Sequence, residues 1–432
     1  MAAATSSSNS LIAEEHPDVE ERLVFETRSD SCRHGPIYCR SWSKSREKLE
    51  SAMLSVYGRS PSDHSAFVLP SGMAAIGATL ASNAVPNPGR QSVIVYGSEL
   101  YTDVPRQIQH LVEERAPLLK SIAVDIRDTL ALRQIFQRHG TAISVFHFEA
   151  CTNPSGQVFD FAILAELREL APDCLFVADN TWLTGLLLNP LDLGADIVVE
   201  SMTKYVSAGR CIGGAVIGKD SQVAKTLTWI KIFGQFIGSD HCEIFLQGLE
   251  TISARVQAAS AAAFEVATFL EGKQGVSRVM YPSLESHPTH ALAARYLHQG
   301  GPGCLWFHVA ASEKVVRRAL ASSEVASRLE FKTSFGGRQG RIDPWPKRGS
   351  ACDYEFPPQV DASGCTAKLD EDAEISGSAS GSSSASATVT EATGSAASKG
   401  TWLRLAMGYS QDIDDVFQGL NALLKGLAKG ST

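Results

Sequence analysis

The chain has 432 residues with 39 Lys+Arg against 47 Asp+Glu, a net charge of −8. With 44% hydrophobic and 20% charged residues it has ample material for a core, in two or three domains or one large and one small. The acidic balance argues against a nucleic-acid partner, which wants a basic face. No run reaches the roughly 18 apolar residues that span a membrane. The nine cysteines form no C-x-x-C pair. They fit reduced intracellular thiols rather than a disulfide frame or a metal site.

Residues 1–21 open on a Ser/Ala tract and hold five acids and no Lys or Arg. A secretory signal needs an early positive charge and an apolar run, and a transit peptide needs Arg. The segment is therefore expected to be a disordered lead on a cytoplasmic protein.

From there the chain alternates short apolar runs with helix-like stretches. Ser92–Tyr96, Ile143–Phe148, Cys174–Ala178, Asp196–Val199 and Gly214–Ile217 are β-branched runs bounded by turn residues. Runs apolar throughout suit strands buried on both faces. Met73–Ala84, Thr102–Val112, Asp128–Arg138 and Phe161–Leu170 are the intervening helical candidates. This rhythm predicts an α/β fold, a mostly parallel sheet with helices on both sides. Ligands should gather at the carboxyl ends of its strands.

Beyond about residue 230 the pattern changes to a smaller C-terminal α/β domain. Glu243–Gly272 fits one long helix, Cys304–Val309 a strand, and Val315–Ala321 and Asp412–Leu427 helices. Between Ser376 and Gly400 nearly every residue is Ser, Gly, Ala or Thr. Such a tract cannot offset its ordering entropy, so about 350–400 is expected to be a solvated insertion. A well-patterned segment resumes at Trp402.

Chemistry concentrates between Leu175 and Gly218. Asp179 ends a buried run, and Lys204 follows the next one in Ser201-Met-Thr203-Lys204-Tyr205. Most lysines are solvated surface charges. This one follows a hydrophobic strand and is flanked by small hydroxyl residues, which suits a Schiff base with an aldehyde cofactor. Pyridoxal phosphate needs such a lysine, an acid for its pyridinium nitrogen, donors for its phosphate and a flat ring stacked on its own. Asp179 supplies the acid, and Ser201 and Thr203 are candidate phosphate donors. Ser71-Gly72-Met73 opens a helix, whose first amides favour an anion. Ser71 as a plain N-cap is the simpler alternative. Tyr101 stands beyond a strand, where a ring can cover a cofactor or merely pack.

In these motifs the chain resembles the pyridoxal-phosphate enzymes of cysteine and methionine metabolism: cystathionine γ-synthase, cystathionine γ- and β-lyases and methionine γ-lyase. The likeness runs from about Tyr38 to Leu427, without the insertion. It implies the aminotransferase-like fold (fold type I) with pyridoxal 5'-phosphate as cofactor. It also implies an N-terminal arm (22–60), a cofactor-binding domain (61–235) and a C-terminal domain (236–432). By resemblance, Lys204 carries the cofactor and shuttles protons, and Asp179 partners the pyridine nitrogen. Ser71, Gly72, Met73, Ser201 and Thr203 hold the phosphate. Tyr101 stacks, with Arg106 close by. Glu149 and Asn153 match the family's Glu-x-x-x-Asn-Pro, the Asn contacting the ring hydroxyl and Glu149, like Arg106, implied on the substrate side. Tyr38 and Arg40 resemble the pair that reaches the neighbouring subunit's phosphate, which implies a homo-oligomer, a dimer with shared sites or a tetramer. Ser334 and Arg404 resemble the clamp on the substrate carboxylate, a task suited to the guanidinium fork.

Departures cluster around the substrate side chain. Thr102-Asp103 follows the tyrosine where Gly-Gly-Thr is usual. Ala208–Ile212 replaces Gly-His-x-Asp. Thr333 stands where γ-lyases often have Glu, and Phe335-Gly-Gly-Arg338 follows Ser334. Arg106 favours reaction at the γ-carbon, while an aromatic Phe335 leans toward the β-lyases. Asp103 has Arg106 and Arg210 as possible partners.

Overall fold

The computed structural model describes residues 43–85, 91–345 and 400–430. The lead at 1–21, most of the arm with Tyr38 and Arg40, and the insertion up to 399 lie outside the described residues.

Seven strands form one sheet in the order β1-β7-β6-β5-β4-β2-β3. They are β1 (His64–Leu69), β2 (Ser92–Gly97), β3 (Leu119–Val124), β4 (Ile143–Glu149), β5 (Leu175–Asp179), β6 (Ile197–Glu200) and β7 (Gly214–Lys219). β7 runs against the direction of the other six strands. The five apolar runs become β2 and β4–β7. Both faces of these strands are covered, so they carry no polar alternation. One face packs Val145, Val177 and Val199 with the helix Gly72–Asn83. The other carries a phenylalanine cluster built around Phe146, Phe148, Phe159 and Phe176. The topology places the last residues of β4, β5 and β6 side by side, and these are Glu149, Asp179 and Glu200.

A second, antiparallel sheet has the order β10-β11-β9-β8. Its strands are β8 (Val276–Met280), β9 (Cys304–Val309), β10 (Arg341–Pro344) and β11 (Thr401–Ala406). Pro344 is tolerated because β10 is an edge strand. Helices Glu313–Leu320 and Ile413–Gly430 correspond to the expected ones.

The expected single helix over Glu243–Gly272 is two helices, Ser239–Leu249 and Ile252–Leu270. At the break the backbone packs on the turn that carries Lys204: a Cβ on Gly248 would lie 1.9 Å from the carbonyl oxygen of Val206. Arg255 spans the break, donating to the carbonyls of Gly248 and Tyr205, both at 2.6 Å, and to Thr251 Oγ1 at 3.0 Å. Carbonyls freed by ending one helix are thus satisfied from the next.

His147, in the middle of β4, is fully buried with no hydrogen bond to either ring nitrogen. Burial lowers it to about 4. The unfolded chain takes up this proton below about pH 6.5. Stability that His147 leaves intact above that value is therefore lost as pH falls toward about 4. We expect His147→Leu to reduce the loss of stability between pH 7 and pH 5 by about 2 kcal/mol, read from urea midpoints. Parallel pH profiles for the two proteins would reject this account.

Candidate active site

A cavity of about 240 Å³ opens at the carboxyl ends of β4, β5 and β6. Asp179 and Lys204 line it, as the strand-end positions require. Asp179 is buried and accepts the amide of Thr181 at 2.9 Å. Desolvation raises its carboxyl, while the bonds from Thr181 and the charge of Lys204 lower it. A protonated ring nitrogen would supply the further positive charge that favours its ionised form.

Lys204 sits on the turn after β6. Its Nζ donates to Ser334 Oγ at 2.9 Å and lies 5.2 Å from the centre of the Phe335 ring. Burial, assisted by Arg404, lowers its ammonium to about 8. Gly336, at φ +81°, lets the loop close on this turn: a Cβ there would meet the Lys204 carbonyl carbon at 2.5 Å.

Ser71, Gly72 and Met73 line another wall. Ser71 is the N-cap, its Oγ accepting from Ala74 N at 3.0 Å. This cap takes the amide of Ala74 and leaves the first two amides of the helix outside the helical ladder. A Cβ on Gly72 would lie 2.7 Å from Ser201 Cβ, so glycine keeps this wall low. Ser201 and Thr203 line the same cavity. The Thr203 hydroxyl also donates to Gly213 O at 3.2 Å, and the Ser201 amide donates to Thr181 Oγ1 at 2.8 Å.

Tyr101 lies half-exposed at the mouth, its phenol raised by partial burial and by Asp103. Both oxygens of buried Glu149 are occupied by backbone amides: Tyr101 N at 2.6 Å and Asn153 N at 2.8 Å. Burial and neighbouring Asp179 push its carboxyl well up. Glu149 therefore fixes the tyrosine and the asparagine, a positional task rather than an open contact for substrate.

Arg404 is buried, its Nη1 donating to Asn153 Oδ1 at 3.1 Å and its Nη2 to Thr333 Oγ1 at 2.9 Å. Ser334 thus meets the lysine, and the preceding residue meets the arginine. Asp343 lies opposite Arg404 in the β10–β11 register, with a carboxylate oxygen 3.6 Å from Nη2, and the Trp345 ring lies 4.4 Å from the guanidinium carbon. Arg106 bonds Asp103 at 3.0 Å. Arg210 turns instead to Gln247 and the carbonyl of Ile244. Tyr38 and Arg40 lie outside the described residues.

Several site residues escape sequence reasoning. Glu200 lines the cavity and accepts from the Tyr57 hydroxyl. Thr181 and Trp182 line the cavity as well, Thr181 through the hydroxyl that accepts the Ser201 amide. An acid closing an apolar run, as in Asp196–Glu200, was the available signal for Glu200. The contacts of Thr333, Asp343 and Trp345 had none, because they depend on strand register and loop course.

The buried acid, the lowered lysine and the helix start approached by Ser201 fit pyridoxal phosphate. Fold and site together define a pyridoxal-phosphate-dependent enzyme of fold type I. The chain belongs to the Cys/Met metabolism PLP-dependent enzyme family, whose model matches residues 18–344. It is 40% identical to an O-succinylhomoserine sulfhydrylase of Pseudomonas aeruginosa over 162 residues, 37% of this chain and 40% of that one. It is 29% identical to a cystathionine beta-lyase of Coxiella burnetii over 323 residues, 74% of this chain and 79% of the relative. Among solved structures it is similar to cystathionine gamma synthase from Xanthomonas oryzae pv. oryzae in complex with cystathionine. There the TM-score is 0.72 at 23% identity, covering 92% of this chain and 89% of the other.

Proposed function

We infer that the enzyme acts at the γ-carbon of a homocysteine- or homoserine-derived amino acid, by elimination or replacement. The observation that carries this is the convergence of the Lys204 amine and the Arg404 guanidinium on adjacent residues, Ser334 and Thr333. Such a pair can address the α-hydrogen and the α-carboxylate of one amino acid. The likeness to an O-succinylhomoserine sulfhydrylase and the family resemblance at Arg106 support the γ-carbon.

Arg404 would orient the carboxylate. Lys204 Nζ would remove the Cα proton and then move a Cβ proton so that the γ-substituent can leave. Pyridoxal phosphate, when bound, supplies the sink for the electrons released at Cα. Asp179 would face its nitrogen, and the amides of Gly72 and Met73, with Ser71, Ser201 and Thr203, its phosphate. Tyr101 would cover its ring, and Asn153 its hydroxyl. Preorganised charge and proximity account for most of the acceleration expected.

The division into arm, cofactor-binding domain and C-terminal domain, the dimeric or tetrameric assembly through Tyr38 and Arg40, and a cytoplasmic location belong to the same proposal. Among the described residues no helix is long and apolar enough to cross a membrane.

Phe335 favours a second possibility, β-elimination. Its ring underlies Lys204 and packs edge-on against Trp182 and Tyr205. A substrate panel separates the two. Cystathionine should yield cysteine and 2-oxobutanoate, or an O-acylhomoserine with sulfide should yield homocysteine. Pyruvate and homocysteine from cystathionine, with no turnover of O-acylhomoserines, would overturn γ chemistry.

A further inference from the structure

The arginine assigned to the substrate carboxylate is not open to the cavity. Arg404 is 3% exposed, and both of its terminal nitrogens already donate to neutral oxygens, Asn153 Oδ1 and Thr333 Oγ1. Two oxygens on two terminal nitrogens is the pattern in which a carboxylate binds a guanidinium.

The two acceptors are held very differently. Asn153 is buried, its own amide fixed by Glu149. Thr333 belongs to an exposed stretch, 331–333, without helix or strand. Next to it Ser334 adopts φ +85°, a left-handed conformation unfavourable for a residue with a side chain. A hydroxyl also binds a guanidinium more weakly than a carboxylate does. One acceptor is therefore fixed, and the other is poised to leave.

We propose that Thr333 Oγ is a displaceable placeholder for one oxygen of the substrate carboxylate. It satisfies the buried arm of Arg404 while no amino acid is present, and the arriving carboxylate takes its position. Thr333 is a positioning residue that sets how strongly the site demands a carboxylate. This rests on Arg404 being the carboxylate site. Since Ser334 follows directly, the exchange also acts on the residue that holds Lys204 Nζ.

Substituting valine keeps the shape of the side chain and removes its oxygen. It takes one hydrogen-bond partner from the buried guanidinium in the free enzyme, leaving Nη2 with the Asp343 carboxylate at 3.6 Å, and this cost is relieved when a carboxylate arrives. The holoenzyme is titrated with L-norleucine and with its decarboxylated counterpart, n-pentylamine, following the visible absorbance of bound cofactor. Thr333→Val should bind norleucine about fivefold more tightly and pentylamine unchanged. Thr333→Ser, which keeps the hydroxyl, should behave as the unsubstituted enzyme. Norleucine bound equally or more weakly by Thr333→Val, or both ligands shifted alike, would overturn the placeholder. The assignment of Arg404 is checked separately: if Arg404→Ala leaves the norleucine-to-pentylamine ratio unchanged, the carboxylate site is elsewhere and both ideas fall.

Discussion

Lys204→Ala is expected to lose turnover by at least about 10⁴-fold, together with the visible absorbance of bound cofactor. With its ammonium lowered to about 8, about a quarter of Lys204 is free amine at pH 7.5, against roughly a thousandth for an ordinary lysine. The variant should still fold, because the amine contributes a single hydrogen bond, to Ser334 on the facing loop. A near-unchanged melting temperature with activity abolished would match this expectation. Full activity in Lys204→Ala would remove the lysine from the chemistry. In the unsubstituted protein, capture of added pyridoxal phosphate should accelerate as pH rises through about 8, as the ammonium loses its proton.

Arg404→Ala should raise the KM for an amino-acid substrate about 100-fold, because the charged contact on the carboxylate is gone. It should also destabilise the protein. Asp343 is buried 3.6 Å from the guanidinium, and removing one partner of a buried pair costs about 3–5 kcal/mol. These effects can be separated. In Arg404→Ala/Asp343→Asn the remaining group is neutral, so much of the lost stability should return while KM stays high. An unchanged KM in Arg404→Ala would place the carboxylate elsewhere. A double variant as unstable as the single one would show that the ion pair is not what Arg404 stabilises.

Sequence patterning carried the large sheet well and the small one poorly. The strands β2 and β4–β7 are legible because both of their faces are covered, which leaves unbroken apolar runs. The outer strand β3 mixes exposed Lys120 with buried Leu119 and Val124, so no apolar run marks it. The helix break after Leu249 is hidden because Glu250 and Thr251 continue a tolerable helical sequence. What breaks the helix is the approach of the Lys204 turn to Gly248, a long-range contact. Lys204 and Asp179 are legible because charged groups at the ends of buried strands need a reason. The surroundings of Arg404 are not. Asp343 and Arg404 meet only through the β10–β11 register, and Thr333 reaches the arginine through an irregular loop.

That register has a further consequence. Asp343 and Arg404 face each other on adjacent antiparallel strands, yet the chain between β10 and β11 includes the whole Ser/Gly/Ala-rich tract. β11 is paired on both sides, with β9 as well as β10, and the helix Ile413–Gly430 follows it. Strand pairing, rather than the covalent tether, thus determines where Arg404 stands. The entropy of closing such a connection grows only logarithmically, and doubling its length costs about 0.6 kcal/mol. The connection is a site where the gene can gain or lose whole stretches of codons while the distance from guanidinium to carboxylate stays the same.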